Sequence, residues 1–241
     1  MLTVDFTKLD LKPGTFVLDA GCGAGRHLGK AFRSRGVHVV GIDLNRDDAL
    51  KAHNTVKIMR HAGEGGGGCA QVFISDIMHM PFADESFDIV ICSEVLEHIP
   101  DHRQAASEIV RVLKPGKSLV VSVPRYLPER ICWALSEAYH TEKGGHIRIY
   151  RKRELIGLLE SAGARCMQTG WAHSLHSPYW WIKCVVGHKN EDSLPVKLYH
   201  RFLVWDIMKK PLLTRILDRL LNPLIAKSIV LYLKKGDQYG T

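Results

Sequence analysis

The chain has 241 residues, of which 46% are hydrophobic and 24% charged, a balance that is typical of a globular protein and excludes a disordered or fibrous chain. No apolar run approaches the roughly 18 residues that a spanning helix needs, and we see no secretory leader, so we expect a cytoplasmic protein with a single α/β domain over residues 1–241. The net charge of +8 is uneven, because nine Lys/Arg and two Asp between residues 196 and 235 give that segment a charge of +7.

Short apolar segments alternate with amphipathic ones through the first half of the chain. The predicted strands are rich in Val and Ile and cover residues 15–20, 37–43, 70–76, 86–95 and 117–124. The predicted helices cover residues 25–36, 46–63 and 101–113. This alternation indicates a parallel sheet with helices on both faces. A run of four glycines at residues 65–68 precedes the third strand, so we expect a flexible connection there and not a phosphate loop.

The second half of the chain is less regular. A predicted helix over residues 151–162 and a sixth strand over 164–175 precede two helical stretches that end near residue 225. The second stretch has six apolar side chains at helical spacing: Leu213, Ile216, Leu217, Leu220, Leu221 and Leu224. The seventh strand is either 227–234 or 180–187. We favour 227–234, because it is β-branched and aromatic and has flanking lysines, which makes residues 175–226 an insertion.

The segment "LDAGCGAGRHLG" at residues 18–29 follows the first strand and begins the first helix, where backbone can approach a ligand closely. Its spacing is G-x-G-x-G, and Arg26 stands where a dinucleotide site has its third glycine. Asp19 precedes the glycines, and Asp43 ends the second strand, where it can accept hydrogen bonds from ribose hydroxyls. Two acids and no lysine in the turn favour a ligand with a ribose and positive charge but no phosphate, and S-adenosylmethionine meets that description.

Four segments, in the expected order, resemble the class I S-adenosylmethionine-dependent methyltransferases: "VLDAGCGAG", "GID", "SDIMHMPFADESFDIVICSEVLEHI" and "LKPGKSLVVSVP". The resemblance covers residues 13–163. It implies a Rossmann-like, mostly parallel seven-stranded sheet of order 3-2-1-4-5-7-6 with strand seven antiparallel, and helices on both faces. We expect residues 125–150 and 175–226 to form a helical cap with the acceptor site. The resemblance also implies S-adenosyl-L-methionine as the cofactor.

The resemblance assigns cofactor contacts position by position. The implied binding residues are Asp19, Gly21, Cys22, Gly23, Asp43, Leu44, Asp76, Ile77, Ser93 and Glu94. Among these, Asp19 and the glycines correspond to the methionine end, Asp43 to the ribose and Asp76 to the adenine amino group. Structural roles stay open, namely a tight turn for the glycines, a helix cap for Asp43 and a turn for Asp76. Glu97 competes with Glu94 as the cofactor neighbour.

Three histidines, His146, His140 and His98, are the candidates for catalysis. His146 and His140 lie in the 125–150 segment that we expect to line the acceptor pocket, although solvated loop histidines would give the same pattern. His98 belongs to a Glu-His pair that recurs in this branch of the family, and orienting the loop is the role we favour for it. The six cysteines are scattered without a C-x-x-C pair, which indicates free thiols, and we expect no metal ion.

The resemblance points to methyl transfer onto a small-molecule or lipid-like acceptor, because "CSEVLEH" after strand four lacks the elements of base-methylating enzymes. The alternatives are a catalytically silent S-adenosylmethionine-binding protein and, less favoured, an NAD-dependent oxidoreductase. The basic amphipathic segment 196–226 has three interpretations: a lid over the acceptor, a peripheral membrane contact or a nucleic-acid surface. We favour the lid, with membrane contact as an addition, and regard nucleic acid as an unlikely partner.

Overall fold

A computed structural model describes residues 2–236, so residues 1 and 237–241 of the predicted domain lie outside the described residues. Its centre is a sheet of seven strands, β1 Phe16–Ala20, β2 His38–Asp43, β3 Ala70–Ile74, β4 Phe87–Ser93, β5 Leu113–Pro124, β6 Ala164–Ala172 and β7 Ser228–Lys235. The strand order is β3-β2-β1-β4-β5-β7-β6, and β7 runs antiparallel to both β5 and β6. The predicted fold class and strand order are confirmed.

Nine α-helices connect or flank the strands within the described residues: α1 Arg26–Phe32, α2 Arg46–His61, α3 His102–Val112, α4 Tyr126–Leu135, α5 Glu137–His140, α6 Lys152–Ser161, α7 His176–Val186, α8 Leu194–Lys209 and α9 Leu212–Ile225. Side-chain caps begin two of the helices that the sequence predicts. Asn45 accepts the N–H groups of Asp47 and Asp48 at α2, and Asp101 accepts that of Gln104 at α3. Within residues 2–236, no helix has both the length and the apolar character that crossing a bilayer requires.

The hydrophobic core has two parts, one on each face of the sheet. Successive side chains of a strand point to opposite faces, so Leu18 and Val90 belong to one cluster and Val17 and Ile89 to the other. All four are at most 2% exposed. This double burial explains why the central strands are continuous apolar runs.

The structure decides between the two predicted positions of the seventh strand. Residues 180–187 do not form a strand, because α7 covers His176–Val186, whereas β7 lies between β5 and β6 with Leu231 opposite Val121 and Thr169. The favoured prediction, 227–234, is confirmed to within a residue. Strand β5 begins four residues earlier than predicted, since Leu113 pairs with Phe87 before a register shift at the Lys-Pro-Gly turn.

Helix α9 forms where the sequence predicts an amphipathic helix, but its apolar face points to solvent. Leu213 is 76% exposed and Leu220 is 67% exposed. The polar face contacts the protein instead, since the Asp218 carboxylate accepts hydrogen bonds from the Ser174 hydroxyl at 2.7 Å and the Leu175 N–H at 3.3 Å. The interior of this domain therefore does not use the apolar surface of α9.

Candidate functional site

A cavity of about 300 Å³ lies at the carboxyl ends of β1, β2, β3 and β4. In open α/β sheets this edge, at the point where strand order reverses, is where ligands bind. Nine of the ten predicted cofactor residues line the cavity: Gly21, Cys22, Gly23, Asp43, Leu44, Asp76, Ile77, Ser93 and Glu94. The wall also contains residues that the sequence did not single out for binding, among them His27, Ser75 and Val95.

The glycine loop after β1 requires a residue without a side chain at Gly21. Its φ is +76°, and a Cβ atom there would lie 2.4 Å from Cγ2 of Val95. The N–H groups of Gly21 and Cys22 both donate to the carbonyl oxygen of Ile42 at 2.8 Å, which attaches the loop to the end of β2. The loop backbone thus forms one wall of the cavity at close range.

Asp43, at the end of β2, forms hydrogen bonds to the glycine loop and to the start of α2. Its Oδ2 accepts the N–H of Gly23 at 2.8 Å, and its Oδ1 accepts the N–H of Asn45 at 2.9 Å. A carboxylate can accept about four hydrogen bonds, so Asp43 keeps capacity for two ligand hydroxyls. Leu44 beside it is 67% exposed, which provides apolar surface for an aromatic ring.

Asp76 and Ile77, which follow β3, line the same cavity. Oδ1 of Asp76 accepts the N–H of Met78 at 2.8 Å, while the Ile77 side chain is 5% exposed. Two acids together with the apolar side chains of Leu44 and Ile77 around one cavity fit an adenosyl group. The residues present therefore match S-adenosylmethionine, whose adenosine carries hydroxyl and amino donors.

Asp19 differs from the other predicted cofactor residues because it does not line the cavity. It is 1% exposed, and its Oδ2 accepts the N–H of Leu28 in the first turn of α1 at 2.8 Å. Burial raises the pKa of Asp19 to about 7. This hydrogen bond stabilises the first turn of α1, the helix that follows the glycine loop.

Ser93 and Glu94 line the cavity at the end of β4. The hydroxyls of Ser93 and Ser122 lie 2.8 Å apart, and the Ser122 hydroxyl donates to Oε1 of Glu94 at 2.9 Å. Glu94 has a φ of +57°, and its N–H donates to the carbonyl oxygen of Ser122 at 2.8 Å. Burial raises the pKa of Glu94, although the charge of Lys227 opposes this.

The structure brings together two of the three predicted catalytic histidines. His98 lines the cavity, and the rings of His98 and His146 have centroids 5.0 Å apart. Nδ1 of His146 lies 2.6 Å from Oε1 of Glu129, and Nδ1 of His98 lies 3.0 Å from the carbonyl oxygen of Gly145. His140 is exposed and stacks on Trp133 at 4.0 Å, outside this group.

Two buried glutamates complete the group around the histidines. Glu97 is 0% exposed and Glu129 is 2% exposed. Burial raises the pKa of Glu97 well above its ordinary range, and the charge of Glu94 adds to this. Burial alone would also raise the pKa of Glu129, but the His146 hydrogen bond and the charge of Lys227 outweigh it, so the pKa is lowered. Sequence reasoning missed Glu129, because nothing in its spacing marks a helical glutamate as buried beside His146.

Residues 18–121 match the family described as "Methyltransferase domain". A ubiquinone biosynthesis O-methyltransferase of Hahella chejuensis is 35% identical over 157 residues, covering 62% of this chain and 63% of that protein. The methyltransferase GfsG of Streptomyces halstedii is 33% identical over 138 residues, covering 56% of this chain and 48% of its own length. The sterol 24-C-methyltransferase erg6 of Schizosaccharomyces pombe is 37% identical over 45% of this chain and 28% of its own. The chain thus spans less than two thirds of each of these relatives.

Solved structures support the fold over nearly the whole chain. The [4+2]-cyclase SpnF superposes with a TM-score of 0.63 at 20% identity, covering 96% of this chain and 79% of that one. An S-adenosylmethionine-dependent methyltransferase from Methanosarcina mazei gives 0.60 at 18% identity, covering 95% of each chain. At these identities the likeness establishes the fold alone.

Proposed function

We propose that this chain, which matches a methyltransferase family over residues 18–121, transfers a methyl group from S-adenosylmethionine to a small-molecule or lipid-like acceptor. The observation that supports this best is the cavity whose wall contains the glycine loop, Asp43 and Asp76. When bound, the cofactor supplies a methyl group on a good leaving group, so the protein mainly aligns the reactants and excludes water.

We assign cofactor roles to the residues that line the cavity. Asp43 accepts hydrogen bonds from the ribose hydroxyls, while Leu44 and Ile77 pack against the adenine ring. Asp76 accepts from the adenine amino group. The backbone of Gly21, Cys22 and Gly23 contacts the methionine end, and Ser93 and Glu94 lie beneath it. Asp19 does not contact the cofactor in this proposal, and it supports α1 behind the glycine loop instead.

We place the acceptor between His98 and the 125–150 segment. The N–H of Ile147 donates to the carbonyl oxygen of Glu97 at 3.1 Å, so this segment lies against the loop after β4. The 175–226 segment packs behind it, since the indole N–H of Trp181 donates to the carbonyl oxygen of Pro128 at 3.1 Å. Together the two segments would cap the acceptor, with His98 and His146 nearest its reacting atom. The exposed His140 receives no role in this proposal.

Calorimetric titration with S-adenosylmethionine, S-adenosylhomocysteine and NAD tests the cofactor assignment. We expect the first two to bind and NAD not to bind. Labelled methyl transfer into lipid and soluble extracts of the source cell then tests catalysis. Binding of NAD alone would restore the oxidoreductase alternative, and cofactor binding without transfer into any fraction would favour a silent binder.

We also propose that α8 and α9 contact the cytoplasmic surface of a membrane. Their exposed large apolar side chains are Leu194, Leu198, Val204, Trp205, Ile207, Met208, Leu212, Leu213, Ile216, Leu217, Leu220 and Leu224. A patch of this size with Lys209, Lys210 and Arg219 along the same segment fits an anionic lipid surface. The free thiols of all six cysteines suit a reducing compartment.

Sedimentation with vesicles tests the membrane contact. Wild type should bind vesicles that contain anionic phosphatidylserine and bind uncharged phosphatidylcholine vesicles more weakly. The double variant Leu213→Ser, Leu220→Ser should lose binding, because both side chains project from the patch. Ile58→Ser is the matched control, since Ile58 is 69% exposed on α2. Equal binding by the double variant and wild type would contradict the proposal.

A further inference from the structure

Glu97, His98 and His146 form a cluster of two imidazoles and one buried carboxylate beside the cavity. Their ligand atoms all lie within 4.8 Å of one another, and Nε2 of His98 is 3.8 Å from Oε1 of Glu97. Glu97 and His98 come from the loop after β4, whereas His146 comes from the 125–150 segment. Because His98 also lines the cavity, the cluster lies where the proposed cofactor and acceptor sites meet.

Glu97 is a buried carboxylate that lacks a hydrogen-bond partner in the described part of the chain. It is 0% exposed, and neither of its oxygens has a hydrogen-bond partner within residues 2–236. Buried carboxylates are normally paired, hydrogen-bonded or bound to a metal ion, because desolvation of an isolated charge is costly. The two unpartnered oxygens of Glu97 are therefore candidate ligands for a cation.

Each of the two histidines is oriented by a hydrogen bond at one ring nitrogen, as metal-binding histidines usually are. Nδ1 of His146 is held by the Glu129 carboxylate at 2.6 Å. Nδ1 of His98 is held by the carbonyl oxygen of Gly145 at 3.0 Å. A carboxylate or a backbone carbonyl on one ring nitrogen is the usual support of a metal-bound histidine, and it leaves Nε2 as the ligand atom. Two residues distant in sequence therefore present their imidazoles in the same way.

We propose that Glu97, His98 and His146 bind a divalent transition-metal ion of the Zn²⁺ type. Two imidazoles and one carboxylate are a known ligand set for such ions, with a further position open to water or substrate. In a tetrahedral site with bonds of about 2.0–2.2 Å, neighbouring ligand atoms lie about 3.3–3.6 Å apart. Nε2 of His98 and Oε1 of Glu97, 3.8 Å apart, are close to that range, and the largest separation in the cluster, at most 4.8 Å with either ring nitrogen of each histidine, exceeds it by roughly 1 Å. This site replaces the expectation of no metal drawn from the sequence.

The metal site also indicates which functional group of the acceptor receives the methyl group. This part of the inference rests on the proposed function. An ion at the open position would bind an acceptor hydroxyl and lower its pKa, so the acceptor class is an alcohol, phenol or enol. In the transfer, the acceptor O–H bond breaks and its proton leaves to water. The oxygen lone pair forms the new O–CH3 bond while the S–CH3 bond breaks, and its electron pair stays on sulfur as a neutral thioether.

Titration of the metal-free full chain with Co²⁺ tests the site by visible absorption, without the methyl donor. We expect ligand-field bands that saturate at about one ion per chain and disappear when Zn²⁺ is added. Glu97→Gln and His146→Ala should abolish the bands. Glu129→Gln should weaken Co²⁺ binding about 10–100-fold, because it removes the support of His146. His61→Ala, which removes an exposed histidine on α2, should bind Co²⁺ as wild type does.

Calorimetric titration with S-adenosylhomocysteine checks that each variant is folded and separates this proposal from the preceding one. The metal-site variants should keep their cofactor affinity, since none of the changed residues is assigned to the cofactor. Absence of Co²⁺ bands in a wild-type chain that binds S-adenosylhomocysteine would overturn the metal site alone. Bands that persist in both Glu97→Gln and His146→Ala would overturn it equally. Failure of the cofactor to bind wild type would overturn the proposed function instead.

Discussion

Asp43 has two roles among the residues that line the cavity: it supports the glycine loop through the N–H of Gly23, and it faces the proposed ribose site. Asp43→Ala should weaken S-adenosylmethionine binding by about 1–3 kcal/mol, since it removes charge-assisted hydrogen bonds to the ligand. It also leaves the N–H groups of Gly23 and Asn45 without their acceptor. Calorimetric titration measures the change.

Asp10→Ala is the control for the Asp43 variant, because Asp10 is an exposed acid that pairs with Lys12 at the surface. Its cofactor affinity should equal that of wild type. If Asp43→Ala binds the cofactor as tightly as Asp10→Ala does, Asp43 does not hold the ribose.

His27 makes stability depend on pH. It is 7% exposed, and its Nε2 accepts the N–H groups of Thr3 at 3.2 Å and Val4 at 3.4 Å, which requires a neutral ring. Burial lowers its pKa to about 4 from an ordinary value of 6.5, and the charge of Arg26 adds to this. The unfolded chain therefore binds the proton more tightly, so this contribution to stability is present above pH 6.5 and is lost as pH falls toward 4.

His27→Gln should flatten that part of the pH profile. The wild type should lose up to about 3 kcal/mol more free energy of unfolding than the variant between pH 7 and pH 4. Urea unfolding at several pH values measures both, with His61→Gln as an exposed-histidine control. Asp19 has the opposite effect on the free energy of unfolding over this range, because its pKa is raised to about 7 in the folded chain. Since Asp19 is present in both proteins, the difference between the variant and wild type isolates the contribution of His27. Parallel profiles would contradict the assignment.

At the scale of secondary structure, α9 is attached to the domain by polar contacts. The Asp218 carboxylate accepts hydrogen bonds from Ser174 and Leu175, and Oδ1 of Asn222 accepts the N–H of Ser174. At the start of α4, the guanidinium of Arg125 donates to the carbonyl oxygens of Asn222 and Pro223 at the C-terminal end of α9. We therefore expect α9 to open locally while the apolar core stays folded.

Asp218→Ala should loosen α9 and leave the sheet intact. We expect a local cost of about 1–3 kcal/mol, because buried donors lose their acceptor. Amide hydrogen exchange should accelerate in α9 and in the turn before α7, with little change in β1 and β4. Asp192→Ala is the control, since Asp192 pairs with Lys197 at the surface. Equal acceleration across the sheet would show that α9 is part of the global folding unit.

The secondary structure of the first half could be predicted because each pattern has a local cause. Buried parallel strands require continuous Val/Ile runs, and caps such as Asn45 mark where helices begin. The glycines at 65–68 form the predicted connection between α2 and β3. Gly66 and Gly68 also permit close backbone packing, since a Cβ at Gly68 would lie 1.8 Å from the carbonyl oxygen of Val37, which a single sequence does not reveal. Residues 176–186 could not be assigned, because their aromatic content suits a strand and a packed helix equally.

At the scale of the whole molecule, cofactor binding should stabilise the folded chain. A ligand at 100 times its Kd that binds only the native state adds about 2.7 kcal/mol, which for a chain of this size is about 5–11 °C in Tm. Thermal unfolding with S-adenosylmethionine should show this shift, and NAD at the same concentration should show none. A matching shift with NAD would contradict the cofactor assignment.

The sequence by itself determined the sheet, the position of the glycine loop and the residues at the strand ends, because these depend on local periodicity and on parallel strands ending at one edge. It also favoured residues 227–234 over 180–187 for β7, from their composition and flanking lysines. Only the tertiary structure decided which side of α9 faces the protein, that Asp19 lies behind the cavity, and that His146 meets Glu97, Glu129 and His98. The reason is physical: such contacts join residues that are far apart along the chain, and no local pattern encodes which distant side chains become neighbours when the segments pack.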